Sequence, residues 1–320
     1  MRSAEGAVTH SFTSYADVTA ALHAPELSDR SAGSEGAAER GALHADAARE
    51  LSTERLDDLT AELQRSALEL AHQLPLGEPV DLLLAYARPW CSRLALRTID
   101  SRPLGEARLL QLAEEVFRAA ALATSRQDIG SATAPVGALA GALTGPRSTS
   151  LAVQAFVALS QTLPHTFAAA WHVLASVPGA WRTLRADRAA VPLAVEELLR
   201  LASPARAVFR RACTDLVIGD THLSTGDEVI LMLDAANRDP AQFPDPLRFD
   251  LRRGSGGHVG LGRGMHPCAG AAMVRLALGV ATSALLDVAE EMTLAAPVTW
   301  LDGFAIRAPT SLCVVLRPGA

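Results

Sequence analysis

Leucine and alanine recur at spacings of three and four through residues 49–74, RELSTERLDDLTAELQRSALELAHQL, with charged and polar residues between them. That period predicts an amphipathic helix, opened by a Ser-Thr-Glu start signal. The same pattern in residues 103–123, PLGEARLLQLAEEVFRAAALA, predicts a second. A Gly/Pro/Ser break at TGPRSTS precedes a third, from about Leu151 to Ser176, in which Pro164 predicts a kink. Strand signals are short: RAVFRRA, DLVIG and DEVILML after Ser203, and TSLCVVLR near the end. The stretch of about 30–40, RSAGSEGAAER, reads as a flexible surface loop. No repeat emerges, and no linker splits the chain into two hydrophobic halves. The expectation is one mainly helical domain over residues 1–320 with minor β ribbons.

Composition narrows the function classes. The 320 residues are 49% hydrophobic and 20% charged, enough to bury a sizeable core. With 29 basic against 35 acidic residues and a net charge of -6, there is no broad basic field, so nucleic-acid binding is not expected. The positive charge is carried by arginine, which suits buried contacts to carboxylates. Cys91, Cys213, Cys268 and Cys313 are far apart and form no C-x-x-C pair, so a disulfide framework is not expected. Apolar stretches such as TFAAAWHVLA are interrupted before bilayer-spanning length. A reduced, cytoplasmic, membrane-free protein is the resulting expectation.

One string changes the picture. Residues 260–270 read GLGRGMHPCAG, directly before an Ala/Leu-rich helical pattern. A thiolate at a helix mouth is stabilised by the dipole and free N–H groups, and glycines let the backbone approach the sulfur. From the residues alone, Cys268 is an inert buried thiol, a nucleophile or an axial ligand to haem iron. Zinc fits poorly because no second ligand pair lies nearby.

The string Gly262-x-Gly264-x-His266-x-Cys268-x-Gly270, with Leu261 at a position where phenylalanine is usual, resembles the haem-binding loop of the cytochrome P450 family. The resemblance implies haem b, with Cys268 as thiolate ligand to iron. It implies His266 and the strand residue Arg210 as propionate partners, and Ala269, Gly270, Ala271 and Ala272 as a low-relief face against the macrocycle. Glu197-x-x-Arg200 and Pro246-Leu247-Arg248-Phe249 resemble the family's E-x-x-R and P-x-R-F segments. They imply a structural ion network of Glu197, Arg200 and Arg248. The stretch from Arg210 to Asp250, including Ala-Asn-Arg-Asp at 236–239, is similar throughout, and SFTSYADVTAALHAPELS resembles the family's opening strand and first helix. The resemblance thus runs from about residue 11 to 320.

Three departures stand out. The segment ahead of Tyr15 and the loop near 30–40 look shortened, which implies an N-terminally shortened fold whose substrate pocket is more open or is closed by a partner or a second copy. The H-x-x-x-R pair that contacts propionates reads in reverse, as Arg40-x-x-x-His44. Counting 35 residues back from Glu197 places the family's acid-alcohol pair on Gln161-Thr162, so a carboxylate relay is missing there. Three proton sources then remain: water entering the more open pocket, an acidic group on the substrate, or His165, four residues on and on the same helix face.

The resemblance implies a haem-thiolate monooxygenase that tailors a small natural product with O2 and electrons from a ferredoxin-like partner. Arg252, Arg253 and Arg263 are the expected meeting points for that partner. Ala158, His165, Ala205, Val208, Thr310 and Ser311 are the expected pocket walls. The alternatives are a peroxide-driven or redox-neutral haem enzyme, or a haem-free helper that binds another enzyme.

Overall fold

The computed structural model describes residues 8–28, 53–97, 105–125, 133–143, 149–253 and 257–319. The expected loop at 30–40 and the pair Arg40 and His44 lie outside the described residues.

The helical expectations hold with sharper limits. Strand β1 (Thr9–Phe12) leads into α1 (Tyr15–His23), and β2 (Leu27–Ser28) follows. The start of α1 is set by Ser14, whose hydroxyl accepts the Asp17 N–H and donates to the Asp17 carboxylate. The first periodic segment forms α2 (Thr53–Ala71), followed by β3 (Pro79–Asp81), a π-helical turn at Leu83–Ala87 and α3 (Arg88–Arg97). The second forms α4 (Glu106–Leu122), with α5 (Thr133–Ala142) beyond it.

The third is helical throughout, but it is not regular. It is α6 (Thr149–Val157), a π-helical turn at Ala158–Thr162, and α7 (Leu163–Ser176). Pro164 sits at the start of α7, and the irregularity is the extra residue of the π turn directly before it. Nine consecutive residues of α7, Leu163 to Trp171, are buried, so it is the central helix. Next come α8 (Ala180–Ala186) and α9 (Val191–Ala202).

The strand run after Ser203 gives β4 (Ala207–Ala212), the hairpin β5 (Leu216–Ile218) and β6 (Thr221–Leu223), and β7 (Glu228–Met232), then the short α10 (Leu233–Ala236). After the cysteine loop come α11 (Ala271–Val288), β8 (Glu291–Leu294), β9 (Thr299–Asp302), β10 (Arg307–Ser311) and β11 (Cys313–Arg317). The strands form a mixed sheet ordered β1-β7-β4-β2, an antiparallel β3-β11-β8 sheet, and the hairpins β9-β10 and β5-β6. Very short strands such as β2 and β3 escape a periodicity reading because two or three residues carry no alternation.

The largest apolar core joins α2, α3, α7, α9 and α11 around Trp171, Phe167 and Tyr86. A second lies between α1 and the mixed sheet, and a third between α4, α5 and α6. Among the described residues α11 is the one helix long and apolar enough to cross a membrane, with a mean hydropathy of 1.6. It packs inside the main core, where Ala277, Leu278, Ala281 and Leu285 are fully buried.

Candidate functional site

Cys268 stands two residues before the Gly270 cap of α11. Its backbone is fixed by the bond from its N–H to the Leu261 carbonyl, 2.7 Å, which closes the loop, and its carbonyl accepts the Ala271 N–H. Gly262 and Gly264 have left-handed φ values of 68° and 70°. A Cβ on Gly264 would run into the Leu22 carbonyl at the end of α1, and the next residue, Met265, donates its N–H to that same carbonyl at 3.0 Å. The loop therefore rests directly on α1, an approach that only glycine permits.

Solvent reaches Cys268, as it does its neighbours Ala269 and Ala272. Desolvation by the protein around the sulfur raises its thiol above the ordinary value, while the Gly270 N–H and the Arg275 charge pull it down. A Cβ on Gly270 would lie 4.0 Å from the sulfur, so the flank of Cys268 is open. No group of three or more His, Cys, Asp or Glu among the described residues can hold a metal ion. A single accessible sulfur amid small side chains is a poor cage for a bare cation and fits a metal that brings its remaining ligands in a flat ring. Arg210 is buried on β4, where its guanidinium donates to the Phe209 carbonyl, and His266 is half-buried in the loop.

Behind the loop lie two ion networks. Glu197 and Arg200 pair through two hydrogen bonds, 2.7 and 2.8 Å, with both side chains buried. Arg200 also donates to the carbonyls of Asn237, Pro246 and Arg248. The expected third guanidinium is corrected here: the Arg248 side chain is exposed and contributes only its carbonyl. The second cation on Glu197 is Arg253, at 3.2 Å, which ends a short 3₁₀ turn and anchors to the Pro244 and Asp245 carbonyls. Arg253 is thus not free to meet a partner protein. Arg252 pairs with Asp250 and Arg263 donates to the Tyr15 hydroxyl.

The second network was not anticipated. Glu196 takes two hydrogen bonds from Arg275, 2.6 and 3.1 Å, and one from His258 at 3.1 Å. His258 Nδ1 accepts the Gly260 N–H, which leaves the proton on Nε2 to donate to Glu196. Burial alone would raise the Glu196 carboxyl, but the His258 and Arg275 hydrogen bonds and charges override it and hold the carboxyl at about 2.

On the central helix, Thr162 ends the π turn half-buried, and its hydroxyl makes no hydrogen bond among the described residues. The backbone-bonding threonine is Thr166, whose hydroxyl donates to the Thr162 carbonyl at 2.8 Å. Gln161 is buried and turned toward α4, where its Nε2 donates to the Leu110 carbonyl at 3.4 Å while its Oε1 is buried without a partner. The expectation that His165 stores a proton is also corrected. Burial pulls its ring down to about 4, against the opposing Pro309 hydrogen bond, so it is neutral near pH 7. Its Nδ1 donates to the Pro309 carbonyl at 2.7 Å, and its ring stacks on Phe117 at 4.9 Å.

His165 and Thr310 line one cavity of about 220 Å³ together with Leu84, Arg88 and Leu301 and with Glu114, Phe117 and Arg118 of α4. The other expected walls lie elsewhere. Ala205 and Val208 pack against the core under the mixed sheet, Ala158 is exposed on the π turn, and the Ser311 hydroxyl faces Cys313. Arg88 carried no sequence signal, because an arginine beside a proline at a helix start reads as surface.

A cytochrome P450 family profile matches residues 184–288. PikC, a cytochrome P450 monooxygenase of Streptomyces venezuelae, is 35% identical over 167 residues, which are 51% of this chain and 40% of PikC. The 20-oxo-5-O-mycaminosyltylactone 23-monooxygenase of Streptomyces fradiae is 30% identical over 287 residues, covering 82% of this chain and 64% of that one. The match to the first curated relatives thus spans about two fifths of their length. The ligand-free structure of the P450 monooxygenase TamI is 31% identical with a TM-score of 0.73, covering 96% of this chain and 84% of that chain.

Proposed function

This chain belongs to the cytochrome P450 family, and from that premise we propose that it is a single haem-thiolate domain that oxidises a small natural product in the cytoplasm, drawing electrons from a ferredoxin-like protein. The observation that carries the reading is Cys268, accessible on a glycine-shaped loop at the mouth of α11.

Haem b is the family's cofactor, and when bound it supplies the iron at which dioxygen is reduced. Cys268 would hold that iron through its sulfur. The Leu261 carbonyl holds the Cys268 backbone and the Gly270 N–H reaches the thiol, a contact that lowers the basicity of the sulfur. Arg210 and His266 would neutralise the propionates. Thr162, with its hydroxyl uncommitted on the π turn, would hold a water and direct a proton toward the oxygen side. The cavity beside His165 would receive the substrate. Arg252 and Met265, both exposed near the loop, give an electron donor an accessible face.

PikC and the mycaminosyltylactone monooxygenase, by their names, support a tailoring oxidation. Gln161 favours a second reading, a peroxide-driven or redox-neutral enzyme, because it holds no ionisable proton and faces α4. The test is the reduced, carbon-monoxide-bound absorption spectrum. A red-shifted thiolate-type Soret band that Cys268→Ala abolishes supports the assignment. A wild type that remains colourless after haem reconstitution overturns it in favour of a haem-free helper.

A further inference from the structure

We propose that Arg275 is a positioning residue for the haem ligand: Glu196 and the first turn of α11 fix its guanidinium beside Cys268, where the positive charge steadies negative charge on the sulfur and favours the reduced state of the bound iron. The inference rests on the reading of Cys268 as the iron ligand and deepens it by assigning the residue that sets the ligand's charge.

Arg275 lies just past the first turn of α11, and a helical side chain leans back toward the start of its helix. All three guanidinium nitrogens are placed. Nε and Nη2 donate to the two oxygens of Glu196 at 2.6 and 3.1 Å, and Nη1 reaches the Ala271 carbonyl at 3.5 Å. The Ala271 N–H donates to the Cys268 carbonyl at 3.1 Å, so guanidinium and cysteine meet on one residue. A planar fork engaged at every nitrogen keeps its charge in one place, which a flexible ammonium does not.

The surroundings single this cation out. Arg263 is turned to the Tyr15 hydroxyl, Arg253 to Glu197 and Arg252 to Asp250. Arg275 instead acts on the Cys268 thiol, pulling it down together with the Gly270 N–H. Glu196 also takes a hydrogen bond from His258, so its carboxylate is spread over two donors rather than spent on Arg275. The Arg275 side chain is 41% exposed, so solvent screens its charge and the effect is modest and salt-sensitive.

Reduction adds one negative charge to the iron and its thiolate, and a fixed cation attracts that unit more strongly afterwards than before. Arg275 therefore raises the reduction potential. A purely structural brace predicts otherwise: Glu196 and Arg275 form one pair, and removing either would act alike.

The test is anaerobic spectroelectrochemical titration of the wild-type, Arg275→Gln, Arg275→Lys and Glu196→Gln holoproteins at neutral pH. Arg275→Gln should move the ferric–ferrous equilibrium toward ferric by about threefold or more, about 28 mV at 59 mV per tenfold for one electron. Arg275→Lys should recover at least half of that shift, and Glu196→Gln should not move the equilibrium toward ferric. A smaller shift in Arg275→Gln, or equal shifts toward ferric in Arg275→Gln and Glu196→Gln, would overturn the inference. Should the variants fail to fold, the wild type decides. Between about 0.01 M and 1 M salt, where the screening length falls from about 30 to 3 Å, its equilibrium should move toward ferric, and an unmoved one overturns the proposal. The carbon-monoxide spectrum of the same samples separates the two readings. A thiolate band with an unmoved equilibrium removes this inference alone. A wild type that takes up no haem removes the haem reading, and iodoacetamide alkylation of Cys268, measured by mass spectrometry against the exposed Cys213, then decides the charge. A rate ratio about threefold lower in Arg275→Gln supports a cation at the sulfur, and an unchanged ratio overturns it.

Discussion

Arg275 grips Glu196 with two hydrogen bonds, 2.6 and 3.1 Å, and so ties α11, the helix that rises from the Cys268 loop, to α9, which carries Glu197 and Arg200. His258 joins from the strand of chain entering the loop. The sulfur loop is therefore braced at both of its ends by one carboxylate.

That carboxylate gives a pH signature. Its folded pKa, about 2, lies below the ordinary 4.5, so the stabilisation is present above 4.5 and is lost as pH falls toward 2. Glu196→Gln should lower stability near pH 7 by roughly 1.5–3 kcal/mol, the range for hydrogen bonds to a charged group. Denaturant melts of both proteins between pH 7 and pH 2 should show the gap closing with acid. A gap that stays constant would mean that Glu196 is not ionised in the fold.

The neighbouring network separates two arginines that sequence alone does not rank. Glu197→Ala leaves the buried Arg200 unpaired and should cost about 3–5 kcal/mol, leaving little soluble protein. Arg253→Ala should cost about 1–2 kcal/mol through its lost charged hydrogen bonds. Arg248→Ala, an exposed side chain, should stay within about 0.5 kcal/mol. Urea titration of the three variants orders them, and an Arg248 effect equal to that of Arg253 would contradict the geometry.

Gly264→Ala meets both a left-handed φ and the Leu22 carbonyl, so it should displace the loop from α1. The conformational part alone costs about 1–2 kcal/mol. Gly270→Ala adds a methyl at ordinary contact distance from the sulfur and should be the milder change. Thermal melts and retained haem, measured on both, should fall in that order.

At position 161 the structure reverses the simplest expectation. Gln161→Glu restores a carboxylate, but it would face the Leu110 carbonyl in a buried site, where only a protonated carboxyl can donate. Its folded pKa should rise, so the variant should match the wild type more closely below pH 4 and lose about 1–3 kcal/mol as pH rises through that raised pKa. Melting temperature against pH checks the direction.

Thr162 and Thr166 provide an internal control for the proposed oxidase. Thr162→Ala should raise hydrogen peroxide released per reductant consumed, because it removes the one uncommitted hydroxyl of the π turn. Thr166→Val, which loses only a bond to the Thr162 carbonyl, should leave that ratio near the wild-type value. Equal ratios for wild type and Thr162→Ala, with full turnover on peroxide alone, would favour the peroxide-driven reading.

Long periodic elements were legible in the sequence because a repeat sustained over several turns leaves few alternatives, as for α2 and α4. The cysteine loop was legible because its glycines are spaced by a backbone requirement. Arg253, Arg275 and Arg88 were not. An arginine's partner is chosen by where three or four elements meet in space, and nothing in its local sequence encodes that meeting. The π turn at Ala158–Thr162 escaped for a related reason, since one extra residue in a helix shifts the face without altering composition.

The contact between Gly264 and α1 has a consequence in time. The first described residues find their partners very late in the chain: Val8 with Asp227, 219 positions away, Tyr15 with Gly257, 242 away, and Arg263 with Tyr15, 248 away. A ribosome adds about 5–20 residues per second, so β1 and α1 wait on the order of ten seconds or more before the sheet and loop that receive them exist. Until then the edge of β1 is an unpaired strand, and a chaperone or a neighbouring nascent chain can compete for it. The glycine that lets the loop settle on α1 is thus the latch of a slow, long-range closure, and crowded synthesis is the condition under which this fold is most easily diverted.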